Sequence, residues 1–255
     1  RCAFSCVGAS RQFERHRDDL EVRCVFVEAI MNETPWKMWD LATGGYAEGA
    51  GTEEAMIALE EAFRDQPRSW DHPGMLHLYV HLMEMSPFPQ RALRAGDRLR
   101  EVMPDSGHLV HMPTHIDVLC GHYRDVVVYN QKAVVADRKY LAQEGPMNIY
   151  TMYRLHNHHF VIYGAMFLGQ YTSAIEAAEE IIATTPDALL RIETPPMADF
   201  VEGFIPMKQH VLVRFGMWRE ILEQKLPDDR DVYCSTTAMM LYAKGVAHSA
   251  LGNVE

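Results

Sequence analysis

Eight of the thirteen histidines in this 255-residue chain fall between positions 77 and 159: His77, His81, His108, His111, His115, His156, His158 and His159. Imidazole is the commonest protein ligand for transition metals and the side chain that exchanges protons near neutral pH. Spacing decides whether such a run can do chemistry. His77 and His81 form one HxxxH pair, and His111 and His115 form another. On a helix, residues four apart share a face one turn apart, so each pair can present two rings to one ligand. Glu84 follows His81 by three residues, close to the same face. A carboxylate there can ligate, orient an imidazole, or act as a general base. The five cysteines are scattered and lack any CxxC. An imidazole set with one carboxylate suits Zn, Cu, Fe(II) or Ni and disfavours a Cys-rich structural zinc site. HExxH, the P-loop, the dinucleotide fingerprint and GxSxG are all absent. Pro113, between His111 and His115, is expected to kink or begin a helix.

These residues need helices to carry them. Nearly every segment shows the 3.6-residue period, with helices expected near 9–31, 52–66, 74–86, 89–103, 108–120, 123–143, 151–168, 171–184, 198–215, 218–224 and 231–251. Pro and Gly punctuate them. No strand alternation survives, so the expected class is all-α, built of antiparallel helix pairs. Two stretches break the rhythm. Residues 34–51 are Gly-rich and hold Trp36, Trp39 and Tyr46; residues 186–197 hold three prolines. Both are expected to be inserts, the first an apolar plug.

A repeat runs through the helices. LCGHYRDVVVYNQKAVVAD (119–137), FLGQYTSAIEAAEEIIATTPD (167–187) and RFGMWREIL (214–222) align on Gly121, Gly169 and Gly216, each followed two residues later by an aromatic, and Leu251-Gly252 starts another copy. SPFPQRALRAGDRLREVMP (86–104) fits with Pro87 in the Gly place, and EEAMIALEEAFRDQP (53–67) reads as one more second helix. Counted back from each turn, His81, His115 and His210 lie six residues before it, as does Tyr163. His77, His111 and His159 lie ten before, and His108 and His156 thirteen before. Histidines thus recur at matched places on consecutive helices.

The Gly-x-Tyr turn, the small residue three further on and the closing Pro resemble the tetratricopeptide repeat. More narrowly, HPGMLHLYVH (72–81), GHLVHMPTHI (107–116) and HNHHF (156–160) resemble an extended bacterial-type tetratricopeptide family over about residues 20–255. The resemblance implies a right-handed α-solenoid of about five antiparallel helix pairs, one array over 1–255, with the first helices lining a concave groove. It implies that the histidines converge there. The expected metal ligands are His77, His81, His111, His115 and His159, with His108 and His156 next to them. Tyr79, Glu84, Asn157, Tyr163 and His210 are expected to line the groove, with Glu84 and Tyr163 as catalytic candidates. The inserts at 34–51 and 186–197 are expected to close one end. Two functions follow: a groove that binds a peptide, partner protein or small-molecule ligand, with or without a transition metal such as Zn, Cu or Fe, or a metal-dependent hydrolytic or oxidative enzyme.

Net charge is −11, and there is no basic run of five, which excludes nucleic acid as an expected partner. No apolar run approaches 18 residues, so no membrane span is expected. The cysteine usage suggests a reducing, cytoplasmic setting. The chain opens on Arg1 and closes on LGNVE, which reads as a fragment whose N-terminus is missing.

Overall fold

The computed structural model describes residues 2–253, and their side chains from residue 8 onward; the side chains of Cys2 and Cys6 lie outside the described residues. Helix makes up 71% of the chain and strand 2%, which establishes the all-α class. Among the described residues no helix is long and apolar enough to cross a membrane. The chain forms two compact units, Arg1–His122 and Tyr123–Glu255.

The first unit holds α1 (Cys2–Arg15), α2 (Leu20–Met31), α3 (Thr52–Asp65), α4 (Pro73–Glu84), α5 (Leu93–Val102), α6 (Gly107–His111) and α7 (Pro113–Cys120). The helix expected over 9–31 is two helices. Asp19 accepts hydrogen bonds from the amides of Glu21 (2.9 Å) and Val22 (3.3 Å), so it caps a new helix rather than continuing the old one. Phe26, Val27 and Ile30 of α2 meet Leu59 of α3, Leu76 and Met83 of α4, and Leu99 of α5 in one buried cluster.

The 34–51 insert contains a minimal antiparallel hairpin that the sequence did not suggest: β1 (Trp39–Asp40) and β2 (Gly45–Tyr46), with Trp39 opposite Tyr46. Trp39 is buried, and its indole N–H donates to the Leu82 carbonyl at 2.7 Å, near the end of α4. Burial of this ring, with its one polar atom satisfied, fixes the insert on α4.

Helix α5 lies hard against α7. A Cβ on Gly96 would come within 3.0 Å of the Pro113 Cβ, a ring atom that cannot swing aside. Gly96→Val is therefore expected to cost about 1–3 kcal/mol by overpacking, seen as a lowered melting temperature. The charge pattern of α5 suggests a solvated face, but not all of its arginines lie on one. Arg94 sits over the Trp70 ring at 3.8 Å from its centroid. Arg100 is buried in an ion pair with Asp117 of α7; its side chain is only 7% exposed and that of Asp117 2%.

The second unit holds α8 (Tyr123–Glu144), α9 (Tyr150–Leu168), α10 (Tyr171–Ala183), α11 (Asp187–Leu190), α12 (Met197–Val201), α13 (Met207–Arg214), α14 (Trp218–Glu223) and α15 (Cys234–Ala250). Helix α9 packs against both α8 and α10. The Pro-rich 186–197 segment is partly helical and sends Leu189, Leu190 and Met197 into the core of this unit. The turn glycines share one conformation: Gly121, Gly169, Gly216 and Gly252 have φ of 78°, 70°, 70° and 76°. That left-handed region stops a helix at little cost only for Gly. Helices restart two residues after the first three, at Tyr123, Tyr171 and Trp218.

Candidate metal centre

Helix α4 opens on His72, whose Nδ1 accepts the Met75 amide at 3.2 Å, followed by Pro73 in the first turn, where a missing N–H costs nothing. Leu76, Val80 and Met83 take its buried face. His77 and His81 project from the flank of that face with ring centroids 4.5 Å apart. Helix α6 brings His108, whose Nε2 lies 3.2 Å from the His77 Nε2. One ligand nitrogen from each of His77, His81 and His108 can be chosen so that all three lie within 4.8 Å of one another. Two nitrogens bound tetrahedrally to one ion at about 2.0–2.1 Å sit roughly 3.3–3.4 Å apart. The trio therefore needs only small ring movements to close on an ion.

Pro113 begins α7 two residues after α6 ends at His111, so the second HxxxH pair straddles a helix break. The pair still converges: the Nε2 atoms of His111 and His115 are 2.9 Å apart. His111 is fully buried.

Glu84 links the two groups. Its Oε1 receives His81 Nδ1 at 2.8 Å, and its Oε2 receives His115 Nδ1 at 2.6 Å. An ionised carboxylate only accepts, so each imidazole donates from Nδ1, and Nε2 is the atom that the neutral ring offers a metal. This is the carboxylate–histidine arrangement that fixes ring and tautomer at metal sites. Burial opposes the Glu84 charge, but the hydrogen bonds from His115 and His81 outweigh it and hold its carboxyl at about 2. Burial, reinforced by His81 and His108, lowers His77 to about 3. Burial, with His81 and His115, lowers His108 to about 4. Both rings are therefore neutral at physiological pH, the form that ligates.

The 34–51 insert borders this cluster. Trp36 meets the His81 ring edge-on at 6.2 Å between centroids and is 64% exposed. It holds φ at 62°, an uncommon backbone region for a bulky residue.

The remaining candidates make the following contacts within their own units. Tyr79 is buried and donates its hydroxyl to Glu60 at 2.8 Å. In the second unit, His156 packs on Phe160 (4.8 Å) and His159 on Phe204 (5.8 Å), as ring-centroid distances. Asn157 is buried and donates to Asp137 at 2.7 Å, and Tyr163 packs on Phe167 at 4.9 Å. His210 is half-buried, and burial lowers its pKa. Trp36 carried no sequence signal beyond its type. His108, secondary to the HxxxH pairs in the sequence, stands in the trio on equal terms.

Fold and site together define a helical protein with a buried carboxylate shared by clustered imidazoles. No protein-family model, curated protein or solved structure matches the chain.

Proposed function

We propose that this protein binds a transition-metal ion through His77, His81 and His108, on a tetratricopeptide-like helical array. The observation that carries the metal reading is the convergence of three imidazole nitrogens within 4.8 Å, with Glu84 orienting one of the rings. The array reading is supported by four turn glycines in one left-handed conformation, three of them two residues ahead of an aromatic helix start. Nitrogen ligands without thiolate suit Zn, Cu, Fe(II) or Ni. Metal analysis of the purified chain after reconstitution tests this reading. Bound metal in the parent, with one ion fewer in each of His77→Ala and His81→Ala, supports it. No uptake of Zn, Cu or Fe(II) would leave the cluster as hydrogen-bonded packing. Glu84→Ala is expected to weaken zinc binding about 10–100-fold, measured by competition with a chelator of known affinity.

A second reading, a metal-dependent hydrolytic or oxidative enzyme, is favoured by one observation. Three protein ligands leave a coordination position for water or substrate. His81 remains partly exposed beside Trp36, which gives such a position a route to solvent. Turnover that depends on the added metal and disappears in His77→Ala supports this reading.

A further inference from the structure

We infer that the cluster takes two ions rather than one, the second held by His111 and His115, with Glu84 orienting one ligand of each. This rests on the reading of His77, His81 and His108 as ligands of the first ion.

The geometry around Glu84 carries the inference. One carboxylate hydrogen-bonds two imidazoles, one oxygen each: His81 at 2.8 Å and His115 at 2.6 Å. Each contact uses Nδ1, so each ring turns an Nε2 lone pair away from the carboxylate. The two rings serve different partners. His81 belongs to the trio with His77 and His108, while the His115 Nε2 faces the His111 Nε2 at 2.9 Å. Two nitrogens at that separation, each about 2.0–2.1 Å from one ion, subtend about 90°, the angle between adjacent octahedral or square-planar positions. Each group pairs internally through Nε2 atoms, His77 with His108 at 3.2 Å and His111 with His115 at 2.9 Å. A carboxylate oriented toward one ligand only would leave its other oxygen to solvent or a backbone amide; here both are taken by imidazoles and the group is buried. The expected ions are nitrogen-preferring divalent metals of the Zn, Cu(II), Co(II) and Ni(II) kind.

Glutamine at position 84 separates this arrangement from a single shared ion. Its amide oxygen still accepts from one imidazole, but its NH2 donates, so the other ring must put its lone pair on Nδ1 and its proton on Nε2. That ring loses its ligand nitrogen, and E84Q is expected to keep one tight ion and lose the other.

The test is metal-free full-length chain loaded with Co(II) or Cu(II), with bound metal counted per chain and Cu(II) spectra recorded by electron paramagnetic resonance. The expected result is two ions per chain in the parent, with magnetic broadening from the neighbouring copper. One ion should remain, with an isolated-copper spectrum, in each of His77→Ala, His111→Ala, E84Q and His115→Ala. The last keeps the test open if the fully buried His111 does not tolerate replacement. One ion per chain in the parent, lost in His77→Ala and kept in His115→Ala, overturns the second site and leaves the first. One ion lost in both variants means a single shared ion and overturns the two-site reading. No bound ion in the parent overturns the metal reading itself.

Discussion

Metal-free protein is expected to lose about 4 kcal/mol of stability in its first unit between pH 7.5 and about 5. The cause is two imidazoles that the fold keeps neutral. Burial and the neighbouring rings lower His77 from 6.5 to about 3 and His108 from 6.5 to about 4. In the unfolded chain both titrate near 6.5, so below that pH the unfolded state binds more protons than the folded one. A folded pKa below the unfolded value gives stability that is complete above 6.5 and lost as pH falls toward 4. At a pH of about 5 each group accounts for about 2 kcal/mol, a large share of the 5–15 kcal/mol typical of a domain. Geometry gives the same sign, since the two Nε2 atoms face each other at 3.2 Å and cannot both carry protons. Glu84, held at about 2, adds a later step: its contribution is present above about 4.5 and lost as pH falls toward 2. Urea unfolding of chelator-treated protein at pH 7.5, 6 and 5 measures the loss, and His77→Leu should remove about half of the pH dependence. Saturating zinc should move the loss to lower pH, because an ion holds its imidazoles unprotonated. A flat profile from pH 7 to 5 would show that these rings are solvated. In the second unit, burial lowers His158 to about 4 against the pull of Glu180, which adds an acid step there as well.

Local spacing made part of this site readable. His77, His81 and Glu84 share a flank of α4 because a helix places i, i+4 and i+7 together, and no other element is needed to see it. The bond from His115 to Glu84 is different. It joins residues 31 apart, and the intervening α5, with its Gly96–Pro113 contact, sets where α7 lies. The HxxxH spacing of His111 and His115 suggested one helix, whereas Pro113 divides it and the rings converge across the break. Trp36 was recognisable as an apolar residue in a Gly-rich insert. Its place beside His81 depends on the Trp39 indole finding the Leu82 carbonyl, a contact no periodicity encodes. The all-α class was legible for the opposite reason: the 3.6-residue pattern repeats in nearly every segment and is set by burial along each helix. Where a polar side chain competes locally for the backbone, as Asp19 does, that pattern runs on through a break it cannot register.

Arg100 shows most clearly what charge patterning hides, and it carries the largest single-residue effect expected outside the cluster. Its i−3 neighbour Asp97 suggests a surface ion pair, and that contact exists at 2.7 Å. Its second partner, Asp117, lies on α7, the helix that carries His115, and both side chains of that pair are almost wholly buried. A surface pair would contribute at most about 1 kcal/mol. Breaking a buried pair leaves a charge without compensation and costs about 3–5 kcal/mol. Asp117→Leu is expected at the lower end of that range, because Asp97 can still receive the guanidinium. Arg100→Met takes the guanidinium away from the buried carboxylate of Asp117 and is expected at the upper end. The double variant Arg100→Met/Asp117→Leu replaces both charges with apolar volume and should recover most of the loss, since desolvation of the pair offsets much of its attraction. Denaturant midpoints of the four proteins in a double-mutant cycle measure this. Single variants that each lose less than about 1 kcal/mol would place the pair in solvent and return α5 to the solvated face that its charge pattern suggests. If the pair also fixes α7 against α5, Arg100→Met should weaken ions that need His115 more than an ion held by His77, His81 and His108 alone, which links the stability of this helix contact to the second half of the cluster.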